Sequence, residues 1–157
     1  MNIIKQTWSE THPSVKTAVT IIGVGFGAWI IYKIVKGGAN LVDAWTSRKE
    51  GNQALEDIVV LASQGIYPTL SDGEVESMVN AMKSEFNDYF VNDDIIMNIL
   101  YKVQNKADWS KVKYRWGTQD VGNGMQTLTE AISDRFYQTS KDSLNQIFIS
   151  KGIGAIV

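Results

Sequence analysis

The 157-residue sequence contains no cysteine and only one histidine, His12. Disulfides and thiolate metal sites are therefore excluded, and the chain carries no trace of its redox compartment. His12 precedes every stretch that reads as globular, so imidazole is missing there as a base, a nucleophile's partner or a metal ligand. Glycine-rich phosphate loops, nucleophile elbows and Ser-Lys motifs are absent too. The glycines at 23, 25 and 27 follow no strand, so they cannot form a dinucleotide loop. An enzyme is not expected, and neither is a cofactor. No repeat, low-complexity tract or convincing period-two alternation occurs, which leaves helix as the repeating element.

Charge is scarce and uneven. The net of −2 conceals residues 1–38 at +3 and residues 39–157 at −5. From Asp43 to Asp94 eleven acids face only Arg48, Lys49 and Lys83. A domain that wraps nucleic acid is usually broadly basic, so nucleic acid is not an expected partner.

What is present is one long apolar run. Thr17 to Tyr32 is sixteen residues without a formal charge, and Lys16 to Val35 makes twenty, about 30 Å of helix. Lys16 flanks one side and Lys33 and Lys36 the other. Lys33 can snorkel, while Trp29 and Tyr32 suit an interface. A cleaved signal peptide fits less well, because sixteen residues including Glu10 precede the run. A buried core helix would rarely be apolar all round over five turns. Gly23 and Gly27 form a Gly-x-x-x-Gly pair on which a second membrane helix could pack. The expected layout is an extramembrane segment 1–14, a single transmembrane helix 15–38 and a helical domain 39–157. Lysines and arginines just after the span tip the domain toward the cytoplasmic side.

Within 39–157 the periodicity predicts a compact all-α bundle of about five helices. A first helix covers Asn40–Gln64, with a possible break at Gly51-Asn52 and a stop at Gly65. Ser71 and Glu74 have capping-box spacing ahead of Val75, Met78, Val79, Met82, Phe86 and Tyr89 or Phe90. Asn92 starts a helix burying Ile95, Ile96, Ile99, Leu100 and Val103. Asp108–Trp116 places Trp109, Val112 and Trp116 on one stripe. Asp120–Gln126 reads as a loop, and Thr127 with Glu130 as another capping box before Leu128, Ala131, Ile132 and Phe136. Ser140 begins the last helix, Gly152 ends it, and Ile153–Val157 packs back.

Two clusters invite a chemical reading. Asp72, Glu74 and Glu76, like Asp93 and Asp94, stand in first helical turns, where carboxylates are favoured without any ligand. They lack calcium-loop spacing, so no metal is expected. Lys106, Lys111, Lys113 and Arg115 interleave with aromatics and form a candidate contact for lipid headgroups or a partner protein.

Several strings recur in a familiar order. Gly65-Ile-Tyr-Pro-Thr-Leu-Ser71 precedes Ala81-Met82, and Asn92-Asp93-Asp94 leads to Asn105-Lys-Ala-Asp-Trp109. Trp116-Gly-Thr-Gln119 then precedes Leu144-Asn-Gln-Ile147 and Lys151-Gly-Ile153. From about Ala54 to the C-terminus this order resembles a helical domain of small, often membrane-anchored proteins of phages infecting Bacteroidetes such as flavobacteria. The Asn92–Gly117 helix pair also resembles part of an annexin-type repeat, but the calcium-binding Gly-x-Gly-Thr loop is missing. The resemblance implies a non-enzymatic structural component of a lipid-containing virion. Its membrane would be viral or bacterial, and its partners lipid, other virion proteins or copies of itself. The alternative is a cell-membrane protein for lysis or assembly, holin-like or scaffolding. A wall-degrading module is disfavoured by the missing histidine and paired carboxylates.

Overall fold

The computed structural model describes residues 49–122 and 124–157. The expected span, with Lys16, Gly23, Gly27, Trp29, Tyr32 and Lys33, lies outside the described residues. Among the described residues no helix is long and apolar enough to cross a membrane.

Six helices and one minimal hairpin make up this part: α1 (Lys49–Ser63), α2 (Asp72–Asn87), α3 (Asp93–Leu100), α4 (Lys106–Trp116), β1 (Gln119–Asp120), β2 (Met125–Gln126), α5 (Leu128–Arg135) and α6 (Gln138–Ser150). The all-α class is as expected, with one helix more than five. The predicted loop 120–126 contains an antiparallel ladder pairing Gln119 with Gln126 and Asp120 with Met125.

Local chemistry explains most boundaries. Ser71 and Thr127 each accept the N3 backbone N–H while Glu74 and Glu130 reach back to the cap N–H, so both expected capping boxes form. Helix α4 starts earlier than expected, at Lys106, because the Asn105 side chain accepts the Asp108 N–H at 2.9 Å and so caps it. Gly117 closes α4 at φ +61° and ψ −115°, a region only glycine enters cheaply. The last helix begins at Gln138 instead of Ser140, and α1 runs through Gly51-Asn52 without a break.

One cluster fills the interior. Val75, Met78, Val79, Met82 and Phe86 of α2 meet Ile96 and Leu100 of α3, Trp109, Val112 and Trp116 of α4, Leu128 and Ile132 of α5, and Leu144 and Phe148 of α6. Two expected core positions differ. Helix α2 stops at Asn87 because Asp88 turns extended, so Tyr89 and Phe90 leave the stripe and stand 89% and 81% exposed. Ile95 is exposed to a lesser extent, at 42%. The tail does pack back, as Ile153 is buried and Asn145 holds the backbone of Ile156 and Val157.

The helix directions define two ends. The C-terminal ends of α2, α4 and α5 converge, with Phe86 5.6 Å from Trp116 and 6.2 Å from Phe136 between ring centroids. Helix α1 packs mainly on α4 and runs antiparallel to it, since Asp57 pairs with Lys113 while Val60 and Leu61 lie with Lys106 and Trp109. Lys49 therefore stands at the convergent end, which we call the proximal end. The distal end holds the start of α4, the finish of α1, α3 and α6, and the C-terminal tail.

Candidate functional site

The distal end is organised around Asp108, which is fully buried. Its carboxylate accepts the N–H groups of Thr69 at 2.6 Å, Leu70 at 3.0 Å and Gln104 at 3.0 Å, and the Thr69 hydroxyl at 2.8 Å. Four donors to one carboxylate offset its desolvation and hold the 64–71 loop against the start of α4. Asn105 adds a bond from its side-chain amide to the Tyr67 carbonyl at 3.1 Å. Lys151 performs the parallel task for α3. Its ammonium donates to the carbonyls of Tyr101 and Val103 and lies 4.2 Å from the Tyr101 ring centroid. Desolvation holds the Lys151 pKa below the ordinary lysine value, against the opposing pull of Asp108.

Beside this scaffold a cleft of about 410 Å³ opens between α1, α4 and the tail. Val60, Leu61, Ile153 and Ile156 supply apolar walls, Trp109 a buried floor, and Lys106 and Lys113 a cationic rim. Lys113 is tethered at 4.0 Å to Asp57, and its ammonium lies 5.9 Å from the Trp109 ring centroid. Lys106 is exposed and has no ion-pair partner among the described residues. Together these groups suit an acidic segment that also carries apolar side chains.

The four basic residues singled out from sequence are thus divided. Lys106 and Lys113 line the cleft. Lys111 instead binds the Leu70 carbonyl at 2.6 Å and Asp72 at 2.8 Å, and Arg115 pairs with Glu76. Asp72, Glu74 and Glu76 of α2 are thereby accounted for as helix-start and ion-pair groups. Among the described residues, no group of three acidic or imidazole side chains is arranged to hold a metal. One oxygen of Asp93 receives the Tyr137 N–H at 2.9 Å where α6 begins without a side-chain cap of its own, and the other is buried without a hydrogen-bond partner among the described residues.

Sequence reasoning missed Asp108 as the organiser. Its Asn-x-x-Asp spacing after Asn105 marks a helix start, but its Thr69 and Leu70 partners lie 39 and 38 residues away and left no local signal. No protein-family profile, curated protein or solved structure matches the chain.

Proposed function

We propose that the chain is a non-enzymatic, membrane-anchored structural protein of a lipid-containing phage virion. Residues 16–35 would tether it, and the distal cleft would meet a capsid or vertex protein. The observation that carries this reading is the polarity of the molecule. The apolar run precedes the proximal end, and the mixed cationic and apolar cleft runs along α4 from Lys113 toward the opposite end. Supporting it, the two buried carboxylates, Asp108 and Asp93, hold a loop and a helix start, which keeps the domain rigid as an adaptor requires. The virion setting is supported by the ordered strings between Gly65 and Ile153 described above.

Purified particles test this directly. The protein is expected to co-purify with them and to be released by detergent but not by high salt or alkali. Its confinement to infected-cell membranes, with none in particles, would overturn the virion reading.

A further inference from the structure

The proximal end carries an unusual surface. Tyr89 and Phe90 pack edge-to-face on each other, with centroids 4.8 Å apart, yet are 89% and 81% exposed. Tyr137 at 74% and Met125 at 59% lie on neighbouring turns. Arg135 locks those turns together, donating to the Val121 carbonyl at 2.8 Å and the Asp88 carbonyl at 3.1 Å, and Asp93 holds the Tyr137 N–H. Phenylalanine and methionine are usually buried, so their clustering outside with two tyrosines, on turns held together by Arg135, marks a contact surface. This surface is at the same end as Lys49, where the described chain begins.

We propose that Tyr89, Phe90, Met125 and Tyr137 rest in the headgroup layer of the membrane, so that the domain stands end-on on the bilayer. The inference rests on the anchoring reading above. Its geometry follows from chain length and charge. Ten residues, 39–48, separate the expected span from α1, and even fully extended they reach only about 35 Å. Tyrosine and phenylalanine favour the interfacial zone, where one part of the ring meets apolar chains and the other stays hydrated. The charge around them selects the lipid. Between Glu85 and Asp94 three acids, Glu85, Asp88 and Asp94, reach the surface with no base in that stretch, and the Arg135 cation, held by backbone carbonyls, offsets only one of them. Such a surface suits zwitterionic headgroups and is repelled by anionic ones.

The absence of native cysteine allows the test in the full chain. Single cysteines at Asn87, beside the aromatic pair, at Gln64 on the distal end, and at Ala28 inside the apolar run would carry a nitroxide in phosphatidylcholine vesicles. The label at 87 is expected to collide with a water-soluble relaxant several-fold less often than the label at 64. Tyr89→Ala with Phe90→Ala should abolish that protection while leaving the thermal unfolding curve in place. Equal exposure at 87 and 64 would overturn the inference. So would protection at 87 that grows with phosphatidylglycerol, or that disappears at one copy per vesicle, which would indicate contact between copies. The label at 28 separates the two readings. If it is not in the hydrocarbon, the anchor itself fails, whereas lipid burial at 28 with exposure at 87 refutes only the end-on contact.

Discussion

The two ends of the domain solve opposite problems with similar residues. At the proximal end the aromatics of three converging helices close the core, and the next residues along the chain leave Tyr89 and Phe90 outside. At the distal end polar side chains, Asp108 and Lys151, do the closing, and the apolar groups of the cleft stay only partly covered. Apolar closure tolerates an exposed aromatic fringe nearby, because the fringe contributes nothing to the core. Polar closure is more exacting, because each donor it removes from water must be matched. The contrast teaches that exposure at the proximal end is separable from folding, whereas the distal cleft depends on a network that cannot be trimmed without loosening its walls.

Phe86 and Phe90 provide the widest break in that comparison. They are four residues apart on the expected stripe but on opposite sides of the Asp88 turn. Phe86→Ala should destabilise by about 3–5 kcal/mol, the usual range for a fully buried phenylalanine, here one that also meets Trp116 edge-on and stacks on Phe136. Phe90→Ala should stay within about 0.5 kcal/mol, as for exposed substitutions generally. Urea unfolding of both variants measures the difference. Similar losses would mean that the corner is packed and the proximal surface is not free.

Asp108→Ala probes the other end. It strands the N–H groups of Thr69, Leu70 and Gln104, and an expected loss on the order of 3 kcal/mol follows from leaving buried donors unmatched. Hydrogen exchange should rise first across 64–71, while α5 and the Phe86 cluster keep their protection. Uniform loss of protection would show that the ends are not independent. A smaller effect is expected for Lys106→Ala, whose ammonium makes no ion pair among the described residues. Its stability should change by less than about 0.5 kcal/mol, while binding to a particle protein through the cleft should weaken and lose its salt dependence.

How much of this was legible in the sequence depended on the distance between partners. The caps at Ser71 and Thr127 were readable because the interacting groups are three residues apart. The tail's return was readable from its apolar composition. Asp108 was not, because its Thr69 and Leu70 partners are set by how α1 and its loop fold over α4. Tyr89 and Phe90 misled for a different reason. The period of α2 continues through them, and only the extended backbone at Asp88 shows that the helix has ended. The basic residues of α4 share one helix, yet rotation about its axis sends Lys111 and Arg115 to α2 and Lys113 to α1.

The smallest expected effect tests whether the start of α2 belongs to the distal network or stands alone. Hydrogen bonds from the side chain and backbone of Ser71 hold the Glu74 pKa below its ordinary 4.5. A carboxyl depressed in the folded state stabilises the fold above its unfolded pKa, and that contribution is lost as pH falls through the folded value. Glu74→Gln should therefore lower the unfolding midpoint slightly near neutral pH, and the two proteins should converge well below pH 4.5. Lys111 joins Asp72 of α2 to the Leu70 carbonyl, so coupling to the Asp108 loop can be read in the same titration. If Glu74→Gln in an Asp108→Ala background costs as much as it does alone, the cap acts locally. A smaller cost there would make the cap part of the network that holds the distal end.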